Sequence, residues 1–363
     1  MKQKLKIIIS GGGTGGHIYP AIAVAQAIEK ELNGNVEFLF VGAKDRMEME
    51  KVPKAGYPIV GLWISGLQRS LSIKNLLFPF KVLFSVIKSI VLIGRFKPDL
   101  AIGFGGYASG AMMFAAWMRG IPVMIHEQNS YAGITNKILK DKARKIAVAY
   151  PQMERFFPAD KLVLTGNPVR TDILSANSKR DEAVAFFKID GNKKTVLVIG
   201  GSLGARTINT TFYNSWEQLT NAGYNLIWQK GNNFPQADQL THSNLVVRNF
   251  IYEMDLAYAA ADIVVSRAGA LSIAEIAIVQ KPVILVPSPN VAEDHQTKNA
   301  MALVNENAAL IVKDNAANTD LIPEILALFN NTQNQALLAK QIEKFAKPNA
   351  AIEIAKEALQ LVQ

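Results

Sequence analysis

The sequence from Leu5 to His17 reads LKIIISGGGTGGH, an apolar run that ends at Ser10 and continues into a glycine-rich loop. After the loop, apolar residues recur at helical spacing from Ala21 to Ile28. Pro20 falls in the first turn of this segment, where a missing N–H has no cost. The pattern predicts a buried strand, a glycine loop and a helix, which together open a Rossmann-like unit.

Such a loop favours an anionic ligand, because glycines let the backbone approach closely and a helix N-terminus presents N–H groups and partial positive charge. A tight turn without a ligand is the alternative. Gly11, Gly13 and Gly16 also match the G-x-G-x-x-G pattern of dinucleotide-binding folds. Those folds place an acidic residue at the end of the second strand, whereas here the predicted strand from Val36 to Val41 runs into Gly42. This difference weakens the dinucleotide interpretation.

Length and composition limit the class of protein. A chain of 363 residues is about twice the length of a typical domain, so we expect two domains. The absence of cysteine excludes disulfides, thiolate metal sites and cysteine nucleophiles. The apolar run at the N-terminus is too short for a secretory signal, and we expect a cytoplasmic protein.

The net charge of +9 is unevenly distributed along the chain. Residues 1–165 contain 22 Lys and Arg against 11 Asp and Glu, whereas residues 166–363 contain 17 against 19. A basic first half is typical of a protein that faces nucleic acid or an anionic membrane surface. Because no aromatic and basic recognition motif accompanies the charge, we expect the membrane and not nucleic acid.

The stretch from Ile73 to Arg95 is the most apolar part of the chain. Lys74, Lys81, Lys88 and Arg95 interrupt it at seven-residue intervals, which places them on one slowly turning stripe of a helix. The uncharged runs are too short to span a bilayer. Two interpretations remain open for this helix: it lies at a membrane interface, or it packs on a sheet with its lysines in water. For the interfacial helix, Leu76, Leu77, Phe80, Leu83 and Phe84 are the predicted lipid contacts, and Pro79 is expected to start or kink it.

A second glycine loop, Gly103 to Gly110, follows a predicted strand and precedes a predicted helix from Ala111 to Met118. The next strand, Ile121 to Ile125, ends in His126-Glu127-Gln128-Asn129. Open α/β sheets bind ligands at the carboxyl ends of their strands, so these four residues are candidates for a binding site. A helix cap is the alternative for this cluster.

The second half repeats the plan of the first. After a predicted linker at 166–170, the strand Thr195 to Ile199 continues into a third glycine loop and a helix. Glu275 lies in the helix that follows Ser266, where a carboxylate can accept hydrogen bonds from two ribose hydroxyls or can simply complement the helix dipole. The segment from Glu293 to Gln296 lacks a second histidine at metal-ligand spacing, so we expect no metal.

Seven motifs in order resemble the bacterial glycosyltransferase MurG family over nearly the whole chain. They are Gly12-Gly13-Thr14-Gly15-Gly16-His17, Gly105-Gly106-Tyr107, His126-Glu127-Gln128-Asn129, Gly166-Asn167-Pro168-Val169-Arg170, Gly200-Gly201-Ser202, Ser266-Arg267 with Gly269-Ala270-Leu271, and Gln296. The resemblance implies an α/β protein of GT-B fold, with two Rossmann-like parallel-sheet domains facing a cleft. The expected acceptor and membrane domain spans 1–165, and the C-terminal helix 349–363 is a candidate to pack on it. The expected donor domain spans 166–348.

The family's reaction moves N-acetylglucosamine from its UDP donor to the 4-hydroxyl of the muramyl sugar of undecaprenyl-pyrophosphoryl-muramyl-pentapeptide. It takes place on the cytoplasmic face of the membrane and requires no cofactor. By resemblance, the donor-binding residues are Thr14, Gly15, Gly16, Asn129, Arg170, Ser202, Ile251, Ala270, Leu271, Ser272, Ile273, Ala274, Glu275 and Gln296. Gly105, Gly106 and Tyr107 are the expected acceptor-binding residues.

Displacement of UDP with inversion at the anomeric carbon needs a base at the acceptor hydroxyl and positive partial charge at the leaving diphosphate. Helix dipoles can supply the second without a metal. We predict His17 as the base, with Glu127 as the reserve candidate. This chain has Asp294-His295-Gln296 where some relatives carry a second glutamine, and Ser272 where others carry threonine. Alternatives are a transferase for another nucleotide-sugar, a sugar-nucleotide epimerase and a nicotinamide-dependent oxidoreductase.

Overall fold

A computed structural model describes residues 4–66, 77–201 and 203–362 of the chain. The chain divides into two units: unit 1 comprises Met1–Val169 and Lys347–Gln363, and unit 2 comprises Arg170–Ala346. The division after residue 169 lies four residues beyond the boundary expected from the sequence. The C-terminal segment belongs to unit 1.

Unit 1 alternates strands and helices. Its described elements are β1 (Leu5–Ser10), α1 (Gly15–Glu31), β2 (Val36–Ala43), α2 (Glu48–Lys54), β3 (Ile59–Leu62), α3 (Phe78–Phe96), β4 (Leu100–Gly103), α4 (Tyr107–Met118), β5 (Val123–Glu127), α5 (Ile134–Leu139), β6 (Lys145–Val148) and β7 (Leu162–Leu164). The described strands form a seven-stranded parallel sheet in the order β3-β2-β1-β4-β5-β6-β7. Chain order reverses beside β1, so the loops after β1 and β4 leave the sheet next to each other.

Unit 2 repeats this architecture. Its described elements are α6 (Arg180–Phe187), β8 (Thr195–Ile199), α7 (Arg206–Asn221), β9 (Asn225–Gln229), β10 (Leu245–Arg248), α8 (Met254–Ala260), β11 (Ile263–Ser266), α9 (Ala270–Val279), β12 (Val283–Leu285), α10 (His295–Val304), β13 (Leu310–Ile311), α11 (Ala317–Phe329) and α12 (Thr332–Ile342). The described strands form a six-stranded parallel sheet in the order β10-β9-β8-β11-β12-β13. The predicted pair of Rossmann-like domains is confirmed.

The middle residues of the central strands are apolar because helices cover both faces of each sheet. In unit 1, Ile7 and Ile9 point to one face and Ile8 to the other, and all three are fully buried. The last helix, α13 (Ala350–Leu359), buries Ile354 and Ala358 in the same cluster as Ile7 and Ile9. This packing ties the C-terminus to unit 1.

Helix α3 has an unusual distribution of side chains. It buries Ser85 and Ser89, whose hydroxyls donate to the carbonyls of Trp63 and Ser85. The same side of α3 packs Val86, Ile90 and Ile93 against the core of unit 1. A second set of large apolar side chains is exposed, at 46–57% of their surface: Leu77 just before the helix, then Phe80, Leu83, Phe84, Ile87 and Val91. An ordinary surface helix carries polar residues on its exposed face. Pro79 lies in the first turn, as predicted, whereas residues 73–76 lie outside the described residues.

The lysines of α3 are placed differently from the prediction of an aqueous or headgroup-facing stripe. Lys81 donates to the Ser65 hydroxyl and lies over the Trp63 ring. Lys88 donates to the Gly61 carbonyl, at 2.8 Å. Both ammonium groups are therefore held beside the β3 segment, because the carbonyls and hydroxyl there lie within reach of their stems.

Candidate functional site

The predicted base, His17, lies in the first turn of α1, where the glycine loop after β1 ends. Its ring is half-buried, and Nδ1 lies 2.8 Å from the Gly12 carbonyl oxygen. Because a carbonyl can only accept, the proton of this hydrogen bond is on Nδ1, and Nε2 carries the lone pair. Nε2 faces Gly105 of the second glycine loop, since a Cβ built on Gly105 would lie only 3.1 Å from it. The expected acceptor loop and the expected base are therefore adjacent.

The two glycine loops of unit 1 pack backbone against backbone. The Phe104 N–H donates to the Ser10 carbonyl at 2.7 Å, which joins the ends of β4 and β1. Gly106 has φ +86°, and a Cβ there would lie 2.7 Å from the Gly12 carbonyl oxygen. A side chain at Gly106 would therefore separate the loops. Tyr107 begins α4 and is 44% exposed.

Glu48 is a buried residue beside the first glycine loop that sequence reasoning did not single out. It is fully buried at the start of α2, and its carboxylate accepts from the Ala43 N–H at 2.9 Å and the Gly13 N–H at 3.0 Å. A Cβ on Gly12 or Gly42 would lie within 2.1 or 2.5 Å of the Glu48 side chain. Gly42 therefore leaves room for the Glu48 carboxylate, six residues later. The only sign of this in the sequence is the glycine at position 42, where an acidic residue would be usual, followed by a glutamate.

The Gly13 N–H is bonded to this internal carboxylate, so it does not point at an external anion. The end of β2 carries no acidic residue, and Glu48, which lies closest to it, is engaged by backbone N–H groups. The expected donor residues Thr14, Gly15 and Gly16 form the start of α1, where the Thr14 carbonyl accepts from His17 and Ile18.

The cluster after β5 is located at the sheet edge as expected, but its side chains turn inward. His126, Glu127 and Gln128 are each at most 3% exposed. His126 Nε2 donates to the Gly166 carbonyl, and Gln128 bridges His126 Nδ1 and the Phe104 carbonyl. Burial, reinforced by the nearby His17, lowers the pKa of His126 to about 4, so this ring is neutral at pH 7.

Glu127 organises the loop that follows β5. One of its oxygens accepts from the backbone and side-chain N–H groups of Asn129, and the other accepts from Gly133 N–H and from the Asn136 amide. Both oxygens of this carboxylate are therefore occupied by internal donors, and one of them holds Asn129 in place.

In unit 2, the third glycine loop leaves β8 and enters α7, and Ser202 lies outside the described residues. Gln229, at the end of β9, is buried and bridges two parts of the expected nucleotide site. Its amide donates to the Gly201 carbonyl at 3.1 Å, and its oxygen accepts from the Ile251 N–H at 2.9 Å. Because the Ile251 N–H is already bonded to Gln229, a ligand that contacts the backbone of Ile251 would meet the Ile251 carbonyl.

Glu275 is the central charged group of unit 2. It is 7% exposed, accepts from the Tyr258 hydroxyl at 3.0 Å and lies 3.7 Å from Arg170 Nε. Burial raises the pKa of Glu275 to about 7, and Arg170 and Tyr258 only partly oppose this effect. Arg170 also donates to the Tyr252 carbonyl, beside Ile251. Three predicted donor residues, Arg170, Ile251 and Glu275, are thus brought together.

The start of α9 supplies the other expected donor contacts. Gly269 is its N-cap, and the N–H groups of the first turn, Ala270 to Ser272, point out of the helix. Ile273 is 2% exposed and contributes to the core, while Ala274 is half-buried. Arg267 ties this turn to its neighbours, since it donates to the Val286 carbonyl and pairs with Asp314.

Gln296 lies in the first turn of α10 and is partly fixed by the backbone. Its side-chain oxygen accepts from the Ser288 N–H at 2.8 Å, which leaves the amide NH₂ as the group that can donate to a ligand. A hydroxyl oxygen of a sugar is a suitable acceptor.

Within the described residues, no group of three or more His, Asp or Glu side chains is arranged to hold a metal ion. None of the described helices is long and apolar enough to cross a bilayer.

Comparison with known proteins identifies both units. The glycosyltransferase family 28 N-terminal domain matches residues 7–148, and the family 28 C-terminal domain matches residues 195–354. A Flavobacterium psychrophilum protein named UDP-N-acetylglucosamine--N-acetylmuramyl-(pentapeptide) pyrophosphoryl-undecaprenol N-acetylglucosamine transferase is 51% identical over 99% of both chains. A protein of the same name from Cytophaga hutchinsonii is 52% identical over 99% of this chain and 98% of that one.

Two solved structures resemble the fold. MurG from Acinetobacter baumannii superposes with a TM-score of 0.77 at 29% identity, over 98% of this chain and 99% of that one. UDP-GlcNAc 2-epimerase from Neisseria meningitidis superposes with a TM-score of 0.72 at 15% identity, over 98% and 100%. The second likeness concerns the fold alone.

Proposed function

Since this chain belongs to glycosyltransferase family 28, we propose that it transfers N-acetylglucosamine from UDP-N-acetylglucosamine to the 4-hydroxyl of the muramyl sugar of undecaprenyl-pyrophosphoryl-N-acetylmuramyl-pentapeptide. The product is the lipid-linked disaccharide precursor of peptidoglycan. The observation that carries the proposal is the identity of about half of all residues, over 99% of both chains, with proteins named for this reaction.

Unit 2 binds the donor in this proposal. Glu275 accepts hydrogen bonds from the ribose hydroxyls, and the Ile251 carbonyl contacts the uracil. The first turn of α9, Ala270 to Ser272, holds the diphosphate through its N–H groups and the helix dipole, so negative charge that develops on departing UDP is stabilised. The Gln296 amide donates to the sugar. Ser202, Ile273, Ala274, Asn129 and the loop Thr14 to Gly16 complete the donor set.

Unit 1 supplies the base and binds the acceptor. His17 Nε2 takes the proton of the muramyl 4-hydroxyl as its oxygen attacks the anomeric carbon, and the C–O bond to UDP breaks with inversion. The Nδ1 hydrogen bond to Gly12 supports this role, because it keeps the lone pair on the nitrogen that faces the second glycine loop. Gly105, Gly106 and Tyr107 hold the acceptor pyrophosphate. Glu127 orients Asn129 and does not accept the proton.

UDP release by the purified full-length chain tests this reaction. We expect release from UDP-N-acetylglucosamine only when the lipid-linked muramyl-pentapeptide is present, and slower release from UDP-glucose. With both substrates saturating, His17→Ala should lower kcat by about 100-fold or more, the usual contribution of a general base. His242→Ala, in unit 2, is the matched control. Normal turnover by His17→Ala would contradict the role of His17 as base. Consumption of the donor without the acceptor would contradict the proposed transfer reaction.

Unit 1 also meets the membrane in this proposal, at the cytoplasmic face. The exposed apolar row of α3, Phe80, Leu83, Phe84, Ile87 and Val91, enters the acyl boundary, and the excess of lysine and arginine in residues 1–165 favours anionic lipid. The buried serines on the opposite face support this orientation. Such contact would bring unit 1 to its acceptor, because the acceptor is attached to a lipid in the membrane.

Vesicle sedimentation tests membrane contact. The double variant Phe80→Ser and Leu83→Ser should weaken binding to phosphatidylglycerol vesicles about tenfold or more, because each apolar side chain contributes about 1.5–3 kcal/mol when buried. Leu337→Ser, at an exposed apolar position of α12, should bind like the wild type. Equal binding by all three proteins would contradict this orientation of α3.

A further inference from the structure

Glu48 and His17 are joined through a single peptide group. The Glu48 carboxylate accepts from the Gly13 N–H at 3.0 Å, and the Gly12 carbonyl accepts from His17 Nδ1 at 2.8 Å. The carbonyl of Gly12 and the N–H of Gly13 belong to the same peptide unit. A trans peptide is planar, so its N–H and C=O point in opposite directions and cannot turn independently.

We propose that Glu48 is a positioning residue for the reaction: by holding the Gly12–Gly13 peptide, it sets the tautomer and orientation of the His17 imidazole. The inference rests on the proposed role of His17 as base. If the peptide were reversed, an N–H would face Nδ1, and the imidazole would have to present a lone pair there and a proton on Nε2. That tautomer cannot accept the proton of the acceptor hydroxyl.

The surroundings of Glu48 are built around its carboxylate. The side chain is fully buried, its second oxygen accepts from the Ala43 N–H, and glycines at positions 12 and 42 leave the space that it fills. Buried carboxylates are costly unless they accept hydrogen bonds, so a conformation that keeps both bonds is strongly favoured. The carboxylate also polarises the peptide, which strengthens the bond from Nδ1 and stabilises the imidazolium that forms in the reaction.

Glu48→Gln is the most direct perturbation. One amide oxygen can accept from only one of the two N–H groups, and its NH₂ opposes the other. Relative to wild type we expect kcat to fall about tenfold or more, with the Kd for UDP changed less than about twofold, because the uracil, ribose and diphosphate contacts of unit 2 are untouched. Glu50→Gln is the matched control on the same helix, where Glu50 is exposed and pairs with Lys54. Wild-type kcat in folded Glu48→Gln would overturn the inference.

The imidazole ¹⁵N shifts of the full-length chain give a readout that a merely structural role would not move. With four histidines in the sequence, His17 can be assigned by its loss in His17→Ala. We expect wild-type His17 to be protonated on Nδ1, and the population on Nε2 to grow in Glu48→Gln but not in Glu50→Gln. A wild-type ring protonated on Nε2 would overturn the inference even if Glu48→Gln does not fold.

Failure of this inference can be separated from failure of the proposed function. An active Glu48→Gln beside an inactive His17→Ala removes only the role of Glu48. An active His17→Ala removes the base assignment, whereas the dependence of the His17 tautomer on Glu48 is still decided by the spectra.

Discussion

Glu275→Gln should make unit 2 more stable and, at the same time, a poorer nucleotide-binding unit. Folding raises the pKa of Glu275 from an ordinary 4.5 to about 7, and burial is the main cause. Each tenfold change in proton affinity is worth about 1.4 kcal/mol, so the ionised carboxylate destabilises the unliganded unit by about 3 kcal/mol. Because the unfolded chain ionises first, this penalty develops between pH 4.5 and pH 7 and is fully present at pH 8.

Glutamine cannot ionise and keeps an oxygen for the Tyr258 hydroxyl. Arg170 loses a charged neighbour in the variant but is partly exposed and retains Asp172. We therefore expect a net gain of about 1–3 kcal/mol at pH 8 and little change at pH 4.5. Calorimetry of the full-length chain measures this gain. The unfolding transition of unit 2 is identified as the one that added UDP shifts to higher temperature.

Binding of UDP should show the opposite trend. If the ribose hydroxyls bind the ionised carboxylate, roughly a tenth of the protein is competent at pH 6 and roughly nine tenths at pH 8, so the wild-type Kd should fall about tenfold over this range. The UDP phosphate itself titrates near pH 6. Glu275→Gln therefore serves as the reference, with a weaker pH slope and weaker binding at pH 8. Equal pH slopes for the two proteins, or no added stability in the variant, would refute the reasoning.

Three further outcomes follow from other residues. Gln296→Ala should raise KM for UDP-N-acetylglucosamine about fivefold to tenfold, the worth of one hydrogen bond, while the Kd for UDP measured by calorimetry stays unchanged. Burial lowers the pKa of His126 from 6.5 to about 4. The stability of unit 1 should therefore be unaffected by this ring above pH 6.5 and should decline by about 3 kcal/mol as the pH falls to 4, because the unfolded chain takes up the proton first. Urea unfolding of His126→Gln should show less of this decline. Gly106→Ala would place a Cβ 2.7 Å from the Gly12 carbonyl, and kinetics should show at least a tenfold loss of turnover with UDP affinity preserved.

Most of the architecture could be predicted from the sequence because strand, glycine loop and helix follow each other locally. β3 and β7 went unnoticed, since runs of four and three residues have little periodicity to detect. The stripe of lysines on α3 was visible, but the direction of each ammonium depends on acceptors such as the Gly61 carbonyl, 27 residues away.

The candidate site was predicted less evenly. Glu275, Arg170 and Ile251 were named from family motifs, and the structure brings them together, whereas their roles stay predictions. The contact between Glu48 and Gly13 spans 35 residues, so no local pattern reveals it. The cluster from His126 to Asn129 was located correctly at a strand end, but a sequence cannot show that its first three side chains turn inward.

The configuration of the transferred sugar tests the central claim most directly. The full-length chain is incubated with UDP-N-acetylglucosamine, whose anomeric centre is α, and the lipid-linked muramyl-pentapeptide, and the product is examined by NMR. The account predicts one added N-acetylglucosamine in β linkage to the muramyl 4-oxygen, with an equal amount of UDP. An α linkage, or epimerised UDP-sugar with an unchanged acceptor, would contradict it.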